Sequence, residues 1–391
     1  MTPQVRERLR ALRVLWVSHG YGYGGDFMYF GEIFRCFRDL VPNMAVVVDD
    51  RTIFQNTYDI ALRPILRVLR KPIKRTAPDG QVYETEIALP SPAFAARLAR
   101  EKADVIITIE FTPAALIATT VAALMPGRKL VLLVESDPSR RGGSANKAVR
   151  AVKRWAVRRA HVIQTNNVHG RRYLVEDLGA APERVRVAPY LTSRPPGPET
   201  VITAHDGPLR LLFANSINPR KGLRELIAAL ALVDPAVRRT ITLTVVGDGP
   251  ERAELEEWAT ATLDMGERLR FEGRRSYAQL GPFYAQADVL AIPSLADYRS
   301  LAGFEGLGYG LALLSSIHDG ATEETLEDGI NGFAIDPQDT ATLARRIETL
   351  ARDPDRVRAM RRAALDRYRD RFSLEAIAAN LAESVALAVE R

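Results

Sequence analysis

Residues 287–310 read ADVLAIPSLADYRSLAGFEGLGYG. The run from Ala287 to Pro293 has the composition of a buried strand. Beyond it lies a glycine-rich loop with no lysine, one arginine, and two carboxylates, Asp297 and Glu305, eight residues apart. A strand that is apolar on both faces belongs inside a parallel sheet covered by helices. Carboxylates just past its end stand where open α/β sheets bind ligands.

The same alternation extends in both directions. LRLLFANS, ITLTVVGDG, RLRFEG, LALLSS and GFAID surround the quoted strand in the second half. ALRVLWVS, MAVVVDD, ADVIITIE, KLVLLVES and AHVIQTN repeat the pattern in the first. Amphipathic stretches such as DFMYFGEIFRCFRDLV lie between them, so each half reads as strand–helix alternation around a parallel sheet. YLTSRPPGPETVITAHDGP, rich in proline and glycine, separates the halves as a linker. The expected fold class is therefore α/β, with two Rossmann-like domains. The boundaries expected are 1–195 for the first domain, 196–208 for the linker and 209–371 for the second domain. Residues 372–391 form a separate terminal helix.

Composition excludes several classes. One cysteine, Cys36, permits no intrachain disulfide. No uninterrupted apolar run reaches the roughly 18 residues of a membrane span, and the N-terminus lacks a signal-peptide core, so a soluble cytoplasmic chain is expected. No Cys/His cluster has metal-ligand spacing, and neither metal nor cofactor is expected. The net charge of +6 hides an asymmetry. Residues 1–200 hold 31 Lys/Arg against 19 Asp/Glu, whereas residues 201–391 hold 23 against 29. Two basic runs carry the excess. Residues 51–75 have seven basic side chains and one acid, and residues 140–159 have eight and none. Apolar residues interleave with the bases of the first run, a composition suited to an anionic membrane surface, with the solvated helix as the alternative. No basic–aromatic recognition module accompanies the charge, so nucleic acid is not an expected partner.

The loops after the strands carry the chemistry. Gly20, Gly22 and Gly25 satisfy G-x-G-x-x-G after the first strand, with Asp49 or Asp50 ending the next, which is a dinucleotide fingerprint on paper. Arg220 and Lys221 precede Gly222 and a helix, where two cations beside exposed N–H groups suit a diphosphate. VVGDGPER gives a third strand–glycine–helix junction at Gly247, and IHDGATEETLEDGINGF a fourth.

Taken in order, RKG, VVGDGPER, ADVLAIPS, the Asp297–Glu305 pair, GATEETLEDGINGF and the closing RFSLEAIAANLAE resemble the retaining GT-B glycosyltransferases of family four. The resemblance is strong over about residues 209–385 and diffuse before. It implies two Rossmann-like domains facing each other across a cleft, with the terminal helix crossing back to the first. It implies a nucleoside-diphosphate sugar donor on the second domain and a carbohydrate or lipid-linked acceptor on the first. Glu305 falls on the acid that holds the donor ribose, and Asp297 on the acid at the sugar end. Lys221, with Arg220, would neutralise the departing diphosphate. Ser300, Leu301 and Ala302 would present backbone N–H groups to the donor. Glu324 matches an acid near the base or sugar, and Gly24 and Gly25 match the N-terminal loop that approaches the phosphates. Asn215, Ser216 and Gly247 border the donor.

The sequence departs from the family in three places. Asn215 and Ser216 stand where an arginine is common. Glu135 stands where many members have a histidine, and is expected to orient an acceptor hydroxyl or stabilise positive charge at the anomeric carbon. PYLTSRP replaces a Gly-x-Asp. The alternatives are a non-catalytic subunit of this fold, a nicotinamide or flavin oxidoreductase resting on the early glycine turn and, as a lesser option, an epimerase of the same fold.

Overall fold

The computed structural model describes residues 2–17, 27, 30–51, 56, 58–76, 82–135, 147–202 and 207–391. The chain divides into two compact units. One comprises Met1–Leu191 with Leu374–Arg391 and the other Thr192–Ser373. The division falls ahead of the expected boundary at 195, because Ser193, Arg194 and Pro195 all bond to residues of the second unit.

The first unit holds β1 (Val14–Val17), β2 (Met44–Asp49), β3 (Leu62–Leu66), β4 (Val68–Thr76), β5 (Val82–Pro90), β6 (Val105–Ile109), β7 (Lys129–Val134), β8 (Val162–Thr165) and β9 (Val185–Val187). Seven of these form one parallel sheet in the order β3-β2-β1-β6-β7-β8-β9. Its central strands are buried along their length, as a sheet covered on both faces requires. The helix Phe30–Leu40 lays Phe34 and Phe37 edge-on against Trp16 of β1, with ring centroids 5.0 and 6.2 Å apart. The last helix, Leu374–Glu390, also belongs here. Arg186 donates to Asn380 O and Ser384 Oγ at 2.8 and 2.7 Å, and Ser384 Oγ donates to Gln164 at 2.6 Å.

The basic run 51–75 departs from its helical alternative. Its latter part forms β3 and β4, and β4 pairs with β5 as a separate antiparallel ribbon. Pro64 and Pro72 explain this. Each removes an N–H and would break a helix, yet each is tolerated on a strand with a free edge.

The second unit is a six-stranded parallel sheet. Its strands are β10 (Leu209–Ala214), β11 (Ile241–Val246), β12 (Leu269–Gly273), β13 (Val289–Ile292), β14 (Ala312–Ser316) and β15 (Gly332–Ile335). The order is β12-β11-β10-β13-β14-β15. The chain runs outward on one side of β10, then returns to its other side with β13. The loops after β10 and β13 therefore open next to each other at the topological switch point, where such sheets form their ligand crevice.

Among the described residues, the helical run Pro354–Glu390 contains a window apolar enough to cross a membrane, but half of that window is buried inside the fold. It is two helices, Pro354–Arg371 and Leu374–Glu390, and its apolar side chains pack in the cores.

Candidate active site

Gly222 fixes the approach of the two switch-point loops. Its φ is +71°, and a Cβ there would stand 1.7 Å from Pro293 O. Any other residue would push the loops apart. The contact brings Leu295 N within 2.9 Å of Arg220 O. Lys221, on the short turn Pro219–Lys221, is buried with 7% exposure, and its Nζ donates to Asp297 Oδ2. Arg220 Nη1 lies 3.2 Å from Asp297 Oδ1 and donates to Ala296 O at 3.0 Å. Tyr298 N also donates to Asp297 Oδ1, at 2.8 Å. Two cations thus share one carboxylate, and an arriving anion can compete with it for them.

The loop after β14 closes over the same place. Asp297 N donates to His318 O and Gly320 N donates to Asp297 O, both at 3.1 Å. Asp319, 1% exposed, accepts Ser300 N at 3.1 Å and Ala321 N at 2.8 Å on one carboxylate oxygen. The expected backbone donors are therefore unlike one another. Ser300 N–H is already taken, while Leu301 and Ala302 start the helix Ala302–Gly308, where the first N–H groups have no intrahelical acceptor.

Glu305 rides on that helix and is buried. It accepts Ser193 Oγ at 2.7 Å and the Tyr284 hydroxyl at 2.5 Å, and Ser193 Oγ also meets the Tyr277 hydroxyl at 2.9 Å. Burial pushes the Glu305 carboxyl above the usual carboxylate range, and the two hydroxyl contacts oppose this. Glu324 makes a two-pronged pair with Arg299, with Nε at 2.9 Å from one oxygen and Nη2 at 2.8 Å from the other. Both side chains are almost fully buried, and Arg299 lies over the Phe304 ring at 4.2 Å.

Asn215, Ser216 and Gly247 line a cleft of about 690 Å³ together with Gly249, Arg274 and Arg275. Glycine is required at two of these positions by backbone contact. A Cβ on Gly247 would lie 1.8 Å from Asn215 O, and one on Gly249 2.0 Å from Ile217 O. The volume falls within the range of small-molecule sites.

Glu135 belongs to the first unit, just after β7. Its N–H donates to Glu110 Oε1 at 2.7 Å, and Glu110 holds the left-handed φ of +56°. Gly24 and Gly25, with the rest of the early glycine turn, lie outside the described residues. His161 Nδ1 accepts Leu130 N at 3.1 Å, which marks it as structural. Sequence reasoning passed over Arg299, Asp319, Ser193 and Tyr284. For Asp319 the signal was available, since it is a carboxylate just after the apolar run LALLSS.

Comparison with known proteins bears on this arrangement directly. The family model described as Glycosyl transferases group 1 matches residues 200–367, and the Glycosyl transferase 4-like domain matches residues 54–190. The chain belongs to the GT-B glycosyltransferases of family-four type. The nicotinamide or flavin alternative gives way to this assignment. Glycogen synthase of Mycobacterium tuberculosis (strain H37Rv) is 27% identical over 252 residues, 64% of this chain and 59% of that protein. The 2-deoxystreptamine glucosyltransferase of Streptomyces kanamyceticus is 30% identical over 238 residues, 58% of this chain and 60% of that protein. The chain thus spans about three-fifths of these curated relatives. The crystal structure of Anabaena HepE in complex with UDP superposes with a TM-score of 0.67 at 19% identity, covering 96% of this chain and 100% of that one, and supports the fold.

Proposed function

We propose that this chain is a retaining glycosyltransferase that moves a sugar from a nucleoside-diphosphate sugar to a carbohydrate or lipid-linked acceptor. The observation that carries the reading is the cluster of Lys221, Arg220 and Asp297 at the switch point of the second sheet. An incoming diphosphate takes over the two cations from Asp297, which then turns to the sugar. In the step itself the bond between the anomeric carbon and the diphosphate oxygen breaks, and its electron pair leaves with the phosphate. The acceptor oxygen bonds to the anomeric carbon from the same face, and its proton passes to the departing phosphate oxygen. Negative charge grows on the diphosphate during this step, so Lys221 and Arg220 stabilise the transition state more than the ground state. A carboxylate offers about four acceptor positions, so Glu305 has capacity for ribose hydroxyls beyond Ser193 and Tyr284. The cleft at Asn215, Ser216 and Gly247 takes the base.

HepE holds UDP in its crystal structure, so UDP-sugars are the donors to try first. A panel of UDP-, GDP- and ADP-sugars, assayed for hydrolysis without acceptor, tests the reading. Release of nucleoside diphosphate from one donor class supports it. A second reading, a non-catalytic member of the fold, is favoured by the closed Arg299–Glu324 pair, which occupies an expected donor acid. It requires that donors bind poorly and that none is hydrolysed.

In the first unit, Glu135 orients the acceptor hydroxyl. An anionic membrane surface is the second partner proposed. The helix Lys147–Arg159 exposes Lys147, Arg150, Arg154 and Arg158 at three- and four-residue spacing. Leu69 and Leu89 face each other across the β4–β5 ribbon, 56% and 46% exposed, beside exposed Lys71. Arg67 contributes less than its charge suggests, because it pairs with Asp50. Residues 140–146 of the second basic run lie outside the described residues.

A further inference from the structure

The side chain of Asp319 is furnished on one oxygen only. Oδ1 accepts the N–H groups of Ser300 and Ala321, at 3.1 and 2.8 Å. Oδ2 is buried and has no hydrogen-bond partner among the described residues. The residue is 1% exposed, so bulk water does not fill that role freely. A buried carboxylate oxygen without a donor is costly, and in a native protein it calls for an explanation. The surroundings deepen the cost. Asp319 forms a parallel bridge with Asp297, whose negative charge acts on it, while the Lys221 charge that offsets this is bonded to Asp297. Ser300, which Oδ1 holds, begins the segment that leads into the Glu305 helix. The open acceptor therefore stands among Lys221, Asp297 and Ser300, at the end of the site where the sugar is bonded to the diphosphate.

We infer that Asp319 reads the donor sugar, with Oδ2 accepting a hydrogen bond from one pyranose hydroxyl. This rests on the nucleotide-sugar reading given above. A carboxylate only accepts, so it favours a sugar that bears a hydroxyl at that position and rejects one that is deoxygenated there. Ordinary acceptors cannot be substituted. A backbone carbonyl would have to come from a loop already committed to the bridge with Asp297, and the Ser316 carbonyl nearby is taken by Asp319 N and Thr322 Oγ1. The acid also serves two ends at once, because the oxygen that fixes Ser300 keeps the other oxygen in one orientation. Asp319 is thus a specificity residue for the sugar and a brace for the turn beside it.

Asp319→Asn is the informative variant. Its amide oxygen can still accept Ser300 and Ala321 N–H, while its NH2 replaces Oδ2, so an acceptor becomes a donor without a change of shape. Calorimetry with UDP and UDP-glucose, then with the GDP and ADP counterparts, separates the effects. UDP-type binding is expected to stay within about twofold of the parent, which also shows that the variant is folded. Nucleotide-sugar binding is expected to weaken by roughly 10- to 100-fold, the range for a lost charge-assisted contact. A series of donors deoxygenated at single positions sharpens the test. One of them should bind the parent poorly and show no further loss in Asp319→Asn. If the variant binds nucleoside diphosphate and nucleotide sugar like the parent, Asp319 does not read the sugar. Equal loss of both ligands makes the acid a support for the diphosphate end and overturns the inference. A parent protein that binds neither ligand overturns the nucleotide-sugar reading itself, and the inference with it.

Discussion

Two buried carboxylates stand at opposite ends of the second sheet. Asp288 precedes β13 at the amino end, and Asp319 comes after β14 at the carboxyl end; each is 1% exposed. Asp288 is saturated. Arg210 donates to it from Nη2, Nε and its backbone N–H at 2.6, 2.8 and 3.1 Å, and Arg361 Nη1 adds a fourth bond at 2.8 Å. Arg361 Nε in turn holds Gly310 O at 2.9 Å. Asp319 has two backbone donors on one oxygen and, among the described residues, none on the other. The same residue type, equally buried on one sheet, is thus closed at one end and open at the other. A closed charge network serves the fold, because every group it removes from water has been re-bonded. An open one costs stability that a ligand or an ordered water restores.

If that comparison holds, the closed end should govern stability and leave chemistry alone. Asp288→Ala strands two arginines, one of them nearly fully buried. Breaking a buried pair in this way costs about 3–5 kcal/mol. Urea unfolding should show a loss of that size, with the folded fraction retaining the parent's donor affinity. A variant of parental stability would mean that the network is ornamental, and loss of donor affinity in folded protein would erase the contrast between the two ends.

The open end should behave in the opposite way. Lys221→Ala removes the cation that faces the departing diphosphate, and also frees Asp297 from its short contact. Turnover should fall by about 2–4 kcal/mol of barrier, roughly 30- to 1000-fold, with a smaller change in donor affinity. Thermal stability should fall less than in Asp288→Ala, because Arg220 still pairs with the Asp297 carboxylate. Near-parental turnover would remove Lys221 from the chemistry.

Legibility in the sequence followed the same division. The strands of the second unit could be read because a parallel strand covered on both faces is a continuous apolar run, and its loops could be placed because strand order sets where they open. Lys221 and Asp297 were expected as separate roles, cation to phosphate and acid to sugar, but they are bonded to each other. Sequence spacing cannot show a pairing between residues 76 positions apart. Arg299 was hidden for the same reason, since its partner Glu324 comes from another loop. In the first unit, β3 and the β4–β5 ribbon were missed because alternating charge and apolar side chains also fit an amphipathic helix. The two prolines were the discriminating signal. Glu110 gave no signal at all, because a left-handed φ in a glutamate leaves no trace in composition.

Glu305 should show an effect of intermediate size, on both sides of the contrast. Gln at 305 keeps the shape and an acceptor for Tyr284, but loses the charge that favours ribose hydroxyls. Nucleoside diphosphate affinity should fall by roughly tenfold. Stability should respond to pH in a defined direction. Burial raises the folded-state carboxyl, so the stabilisation from its protonation is complete below the unfolded value and is lost as pH rises through the raised one. Glu305→Gln, which does not ionise, should flatten that slope above the ordinary carboxylate range. Denaturation midpoints of parent and variant across this range measure it. Parallel curves would place the ionisation elsewhere, and unchanged calorimetry would make the helix Ala302–Gly308 a structural turn.

The smallest effect per residue is expected on the first unit, where the charges are exposed and many. Lys147, Arg150, Arg154 and Arg158 form a basic stripe on one helix, although Arg150 and Arg154 both reach Asp177. Lys71 and the paired Leu69 and Leu89 add a second exposed patch on the ribbon. Each exposed base near an anionic bilayer strengthens binding roughly fivefold at moderate salt, and the effect fades beyond a Debye length. Lys147→Glu with Arg158→Glu should therefore weaken co-sedimentation with phosphatidylserine vesicles severalfold per residue. Neutral phosphatidylcholine vesicles should not retain the parent, and added salt should mimic the reversals. Leu69→Ser with Leu89→Ser should reduce anionic-vesicle binding without changing its salt slope, since it removes apolar contact and no charge. Both pairs belong to the first unit, so donor hydrolysis in solution should stay at the parental rate in both. Equal partitioning of the parent to both vesicle types, or to neither, would assign the basic stripe to a soluble acidic acceptor. The asymmetry of charge between the halves would then mark a difference of substrate rather than of surroundings.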